Sequence, residues 1–374
     1  MADSLYIHVP FCRAKCAYCD FYSLRMDDGL ALRYVDALRA EAGQRASGAF
    51  GTVFIGGGTP SVLPPGSIGS VLECVGEHAH IADNAEVSVE ANPESMPGSL
   101  VEELLEAGVT RLSVGVQSLV DEELITLERS HNSIQAIEAL QGLSGSGLDI
   151  SIDLMYSIPG QTLQSWDRTL GAATGLNPSH ISAYELTLEQ GTPMYEKADR
   201  GKLQVIREEE SLAMYHEARK ALSGSGYEHY EVSNYALPGK RSRHNMSYWR
   251  RREYTGLGPG AVSYKDGKRT RNHPDVVRYC EALEHGALPP FEQEVLSSDD
   301  ASREFLMLGL RTSDGVSLEE ALHVYGLLSL ESSATPFLDG GLLLIAGGRL
   351  RLSEDKGFPL MNTVLVHLFS SLGI

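Results

Sequence analysis

The sequence predicts an α/β fold: an open, partial barrel of six strand–helix units, followed by a small C-terminal α+β domain of winged-helix-like shape. Three observations carry this. Short apolar runs alternate with amphipathic segments through the first half of the chain. The rhythm yields six units, fewer than the eight of a closed barrel. It stops after about Asn177, and a pattern of helices and one hairpin takes over from Ser297.

The strand-like runs are residues 5–9, 52–55, 86–90, 111–116, 149–155 and 181–186. Between them lie helical patterns. In residues 30–44, Leu30, Tyr34 and Leu38 recur at i, i+4 and i+8 and make one apolar face. Residues 99–108 do the same through Leu100, Leu104 and Leu105, with Gly108 placed to end the helix. Such alternation implies a parallel sheet with helices outside it. Chemistry in these folds sits at the C-terminal ends of strands, and the distinctive residues fall there. Cysteines follow the first strand, Gly56-Gly57-Gly58-Thr59-Pro60 the second, and Glu90 ends the third; Gln117 follows the fourth and Asp153 lies within the fifth.

Residues 1–230 read as the barrel, 231–296 as a linking region and 297–374 as the C-terminal domain. Residues 204–222 form a long amphipathic helical pattern, and 226–236 a strand region with tyrosines. A loop is expected over 244–260, with the basic run Arg250-Arg251-Arg252 and several glycines. Further on come helices over 300–310 and 317–325, a hairpin turning at Gly347-Gly348 between 342–346 and 349–352, and a last helix over 360–372. The wing-like hairpin has no basic stripe, so it reads as a packing or regulatory element.

With 374 residues, 42% hydrophobic and 22% charged, the chain is long enough for two or three domains with real cores. A net charge of −19 repels phosphate backbones and argues against general nucleic-acid binding. No basic-then-apolar segment opens the sequence, and runs such as 342–346 are far too short to span a bilayer. A cytoplasmic protein is expected.

Three of the five cysteines, Cys12, Cys16 and Cys19, lie within eight residues of each other, a spacing that suggests metal before disulfides. Structural zinc would want a fourth ligand, and His8 is the close candidate. A 4Fe-4S cluster held by three thiolates instead leaves one iron open to a chelating small molecule. Cys74 and Cys280 sit in helical patterns and read as inert buried thiols.

The spacing Cys12-x-x-x-Cys16-x-x-Cys19, with Tyr18 before the third cysteine, resembles the signature of the radical SAM superfamily. The resemblance implies a 4Fe-4S cluster whose open iron is chelated by S-adenosylmethionine (SAM), cleaved in that superfamily to a 5′-deoxyadenosyl radical. The stretch from Tyr6 to Cys12, the Gly-Gly-Gly-Thr-Pro-Ser run, and residues 113–118 and 153–160 look like the branch that contains the anaerobic coproporphyrinogen III oxidases. That likeness runs from about Leu5 to the C-terminus. It implies that Tyr6, Gly57 and Glu90 line the SAM site, with Glu90 accepting from the ribose hydroxyls. It puts Gly58, Thr59, Gln117, Arg129 and Asp153, together with Tyr18, where the oxidases hold a second SAM.

The sequence also departs from the oxidases. They carry a further cysteine two residues after the third, where Phe21 stands here, and a long extension before the cluster loop. Residues 244–249, His244-Asn245-Met246-Ser247-Tyr248-Trp249, place an imidazole, a thioether and two aromatics together; histidine and methionine can both ligate haem iron. The segment matches the His-Asn-x-x-Tyr-Trp motif of the HemW-type haem chaperones. That resemblance implies haem binding, delivery to respiratory haem proteins and a cluster-assisted homodimer, with any membrane association peripheral and through partners. His244 is the expected axial ligand and Met246 the second candidate; Tyr248 and Trp249 would flank the macrocycle, Asn245 would orient the loop, and the arginines after Trp249 would meet the propionates. The competing reading is an oxygen-independent coproporphyrinogen III oxidase.

Overall fold

The computed structural model describes residues 3–374. Its central sheet has twelve strands, numbered here in chain order. Six of them form the expected barrel: β1 (Asp3–Val9), β2 (Ala49–Gly57), β3 (His80–Ala91), β4 (Arg111–Gln117), β5 (Asp149–Tyr156) and β6 (His180–Glu185). They lie side by side in that order, every pair parallel. Helices cross between them, including Asp28–Arg45, Ser67–His78, Gly98–Glu106 and Leu163–Gly175.

The two-residue period of each strand separates two environments. One set, including Ile7, Val53, Val89, Leu112, Ile152 and Ile181, is fully buried and belongs to the core shared with the outer helices. The alternate set is polar or aromatic: Tyr6, Phe54, Glu90, Ser113, Asp153 and Tyr184 line a chamber inside the barrel. An ordinary barrel would fill its interior with branched aliphatic residues. Here the inner face carries chemistry and stability comes from the outer layer.

Residues 231–296, expected to link two domains, instead supply strands to the same sheet. β7 (Glu228–Glu231) and β8 (Asn234–Ala236) extend it antiparallel beyond β6. β9 (Tyr254–Leu257) pairs parallel with β1, and β10 (Val262–Lys265), β11 (Lys268–Asn272) and β12 (Phe291–Val295) continue as an antiparallel meander. The fully buried Glu41 pins this extension to the first helix. Its carboxylate accepts from Asn272 and Arg45 on one oxygen and from Gly258 N–H and the Tyr279 hydroxyl on the other, at 2.7–2.9 Å.

The C-terminal domain consists of helices Ser298–Leu310, Leu318–His323, Leu330–Asp339 and Met361–Leu372 around a three-stranded sheet. The hairpin turns at Gly347 and Gly348, both at positive φ, as the paired glycines require. Two expectations change. The helix over 204–222 begins only at Glu208, where three consecutive glutamates suit a helix N-terminus. Leu330–Asp339 was not anticipated, since Pro336 inside it argues against a helix.

Candidate functional site

The cysteine loop is closed at its base by a two-residue ladder, Phe11–Cys12 against Leu24–Arg25. The three cysteines are free thiols, and they line one cavity of about 420 Å³ at the C-terminal mouth of the barrel. Of the nine residues expected at SAM, eight line this cavity: Tyr18, Gly57, Gly58, Thr59, Glu90, Gln117, Arg129 and Asp153. Tyr6 lies below it, in the inner chamber, which Glu90 and Asp153 share.

The glycine run is required by the protein's own backbone. A Cβ on Gly58 would fall 2.5 Å from the Phe11 carbonyl oxygen, and one on Gly57, at φ 107°, would fall 2.3 Å from the His8 ring. This close approach lets Gly58 N–H donate to Val9 O and Thr59 N–H to Phe11 O, both at 2.7 Å. The second strand is thereby sewn to the cysteine loop.

A hydrogen-bonded chain joins two of the thiols. Arg129 donates to Cys16 Sγ at 3.3 Å, to Asn92 Oδ1 at 2.6 Å and to the Gly115 carbonyl at 2.8 Å. Asn92 Nδ2 donates to the Thr59 hydroxyl at 2.9 Å, which donates to Cys12 Sγ at 3.6 Å. Asn92 was missed by sequence reasoning. Its signal was the Asn-Pro step two residues beyond Glu90, where it caps the short turn Pro93–Ser95.

Two half-buried carboxylates face the same space. Burial, reinforced by the neighbouring Asp153, raises Glu90 to about 7, although Gly57 N–H donates to its carboxylate at 3.0 Å. Asp153, which accepts from Ser113 at 3.1 Å, is also raised by burial. Such a pair suits a ligand that brings positive charge and hydroxyl donors.

The donor set favours one of the two metals considered. No histidine and no fourth cysteine lines the cavity among the described residues. His8 Nδ1 is hydrogen bonded to the Tyr6 hydroxyl and Nε2 to the Tyr22 carbonyl, each at 2.9 Å, so neither nitrogen is available to zinc. Three thiolates on an open cavity that also holds two carboxylates fit a cluster with one free iron. Cys74 and Cys280 are buried in helices well apart in sequence from the loop, as expected of inert thiols.

The His-Asn-x-x-Tyr-Trp segment is not a loop. Residues Arg243–Trp249 form a short helix with Ser242 as N-cap. Its first turn is held by Glu86 on β3, which accepts from the backbone N–H of Arg243 at 3.0 Å and His244 at 2.9 Å and pairs with buried Arg111. The His244 ring is stacked on Phe54 and only 1% exposed. Its Nδ1 is bonded to the Thr52 hydroxyl at 2.8 Å and its Nε2 to the Tyr248 hydroxyl at 2.7 Å. Both nitrogens are thus engaged within the protein in this arrangement, and the segment expected as a loop is a helix. Met246 is buried against Tyr230 and Ala236, and Asn245 lines the inner chamber.

Tyr248 and Trp249 alone of the motif line a second, larger cavity of about 630 Å³. It lies between β1, the sheet extension and the helix Ser298–Leu310. Arg251, Arg252, Arg269 and Arg271 contribute guanidiniums, and Tyr6, Tyr22, Tyr254 and Tyr264 add aromatic walls. Trp249 is covered on one face by Arg311, 4.8 Å from the ring centre, and its buried indole N–H has no hydrogen-bond partner. Phe21 lines both cavities.

Residues 6–173 match the radical SAM superfamily, and residues 296–360 match the HemN C-terminal domain. The backbone superposes on the coproporphyrinogen III oxidase HemN of Escherichia coli with a TM-score of 0.82, covering 98% of this chain and 90% of that one at 22% identity. Fold and cavity together define a radical SAM protein with a HemN-type C-terminal domain. Among curated proteins it is 38% identical to heme chaperone HemW of Synechocystis over 85% of this chain and 80% of that protein. It is 34% identical to heme chaperone HemW of Lactococcus lactis, over 97% and 96%. It is also 35% identical to the bovine mitochondrial radical S-adenosyl methionine domain-containing protein 1, over 99% and 88%. The chain belongs to the HemW family. No helix among the described residues is long and apolar enough to cross a membrane.

Proposed function

We propose that this protein is a haem chaperone that binds haem in the 630 Å³ cavity and delivers it to haem proteins of the respiratory chain, the recipients expected from the sequence. The observation that carries the reading is the cavity's lining: four guanidiniums and a wall of aromatic rings, in a chain of net charge −19. Flat aromatic surface suits a porphyrin face, and arginine forks suit its carboxylates. Tyr248 and Trp249 are the part of the family motif that meets the macrocycle. His244 acts behind them, holding the Tyr248 hydroxyl in place.

Cys12, Cys16 and Cys19 would hold a 4Fe-4S cluster, with Glu90 and the Gly57 backbone at a SAM molecule and Asp153, Thr59, Gln117 and Arg129 beside it. When bound, that pair supplies one-electron reduction at a sulfonium. The chain's own residues contribute a carboxylate for ribose hydroxyls and the Arg129–Asn92–Thr59 chain that orients two thiolates. A homodimer and a cytoplasmic location belong to the same reading.

The test is anaerobic reconstitution followed by two parallel assays. Haem transfer to an apo-haem protein without turnover of coproporphyrinogen III supports the chaperone. Turnover with SAM and reductant, without haem binding, assigns the oxidase instead.

A further inference from the structure

Glu304 is the carboxylate that the C-terminal domain presents to the large cavity, from the helix Ser298–Leu310. It is held by two arginines of the barrel side. One oxygen is paired with the Arg269 guanidinium, and the other lies 3.4 Å from Arg251 Nε. Arg251 also donates to the hydroxyls of Tyr325, at 2.6 Å, and Tyr264, at 3.0 Å. Its backbone is left-handed, with φ of 49°. This is the left-handed residue that ends the motif helix: Arg251 N–H donates to Tyr248 O and Arg252 N–H to Ser247 O, both at 2.9 Å. The cap therefore fixes the backbone of the residue whose guanidinium meets Glu304.

The charge balance of the cavity is uneven. Four guanidiniums and two carboxylates, those of Glu304 and Asp20, line the cavity, and Arg269 also lies 3.3 Å from the Glu294 carboxylate. Arg252 and Arg271 are exposed; Arg251 and Arg269 are partly buried and are the pair that Glu304 holds. A ligand carboxylate reaching the inner pair must take the place of the protein's own.

We propose that Glu304 is an internal stand-in for a ligand carboxylate, holding Arg251 and Arg269 until a flat dicarboxylic macrocycle displaces it. This rests on the haem reading above. Displacement breaks the ion pairs between the sheet extension and the helix that covers the cavity, so ligand entry loosens the C-terminal domain. The return of Glu304 to the same arginines then drives the ligand out. Glu304 thus keeps affinity low enough for transfer, and it does so through carboxylates alone.

That dependence on carboxylates gives the test. Haemin and haemin dimethyl ester are titrated into the full-length protein, into Glu304→Gln and into Glu304→Asp, and dissociation is followed by transfer to apomyoglobin. Glu304→Gln is expected to bind haemin about five- to tenfold tighter and release it correspondingly slower, the scale of one partly exposed charge-assisted contact. The diester, which cannot compete for the arginines, should bind Glu304→Gln and wild type alike, and Glu304→Asp should restore wild-type behaviour. Equal haemin affinity in wild type and Glu304→Gln overturns the proposal and leaves the haem reading standing. Equal loss of both ligands in Glu304→Gln shows a seam residue only, and also overturns it. If wild type binds neither ligand, the haem reading falls and this inference with it.

Discussion

The Nε2 atom of His244 lies 2.7 Å from the hydroxyl of Tyr248, one helical turn further on. The opposite ring nitrogen is committed to Thr52 at 2.8 Å, and burial lowers the imidazole to about 3. A neutral, doubly bonded imidazole in this position is a support for the tyrosine. The motif therefore divides by helix geometry: residues 244 and 246 point into the protein, while Tyr248 and Trp249 reach the cavity.

Positioning and ligation by His244 give different spectra. If His244 only supports Tyr248, His244→Ala weakens haem binding by about three- to tenfold, the scale of one lost buried hydrogen bond, and leaves the Soret maximum where it is. Tyr248→Phe should weaken binding to a similar degree. A shifted Soret maximum in His244→Ala, restored by added imidazole, would make His244 an iron ligand and refute the supporting role.

The cluster prediction extends beyond the cysteines. Serine at Cys12, Cys16 or Cys19 should abolish the brown absorbance near 400 nm (roughly, for thiolate-to-iron charge transfer). Asn92→Ala, which cuts the chain between Arg129 and Thr59, should still load iron and sulfide but lose them faster on exposure to air. Iron retention equal to wild type would show that the chain is structural only.

Much of this site was legible because strand ends are where period and spacing coincide. The cysteines, the glycine run and Glu90 could be placed from sequence since each follows or ends an apolar run, and Asp153 lies within one. Asn92 was not visible, because its role depends on Arg129, 37 residues away, folding back onto it. The motif helix was missed for a related reason. Arg243–Trp249 is only seven residues long, and besides its Ser242 cap its first turn depends on Glu86 from a distant strand. The sheet extension was hidden too, since β9 takes its place beside β1 across some 250 residues of chain.

Glu90 makes SAM binding dependent on pH. With its carboxyl raised to about 7, the free protein holds it largely protonated below neutrality, where it accepts poorly from hydroxyls. SAM affinity should therefore rise as pH increases through about 7. Glu90→Gln should bind SAM about tenfold to a hundredfold more weakly, the value of one charge-assisted hydrogen bond, and lose that pH dependence. Isothermal titration across pH 6 to 8 (roughly one unit either side of the shifted value) measures both effects. A Gln variant with wild-type affinity would move the ribose contact elsewhere.

Acid stability should be set by histidines buried in the neutral form. Burial lowers His244 to about 3, His229 to about 4, and His180 well below its ordinary 6.5. Unfolding exposes each to water, where it takes up a proton below 6.5. The unfolded chain then binds more protons than the folded one, so stability rises with pH across this window and is lost as pH falls. Their contribution is complete above pH 6.5 and declines down to the folded values of about 4 and 3. Glu90 acts in the opposite sense: its folded value of about 7 lies above its ordinary 4.5, so the folded state holds the extra proton between them. The buried histidines, His8 among them, outnumber Glu90 and Asp153, the carboxyls that burial raises, so stability still rises with pH near about 5.5. Urea midpoints recorded from pH 4.5 to 7.5 (an interval of about three units around the histidine range) should fall steadily toward the acid end. His229→Asn should flatten the slope by about one proton, or about 1.4 kcal/mol per pH unit. An unchanged slope in that variant would mean that His229 is protonated in the folded protein, against its stacking on Tyr235 at 4.2 Å and its burial.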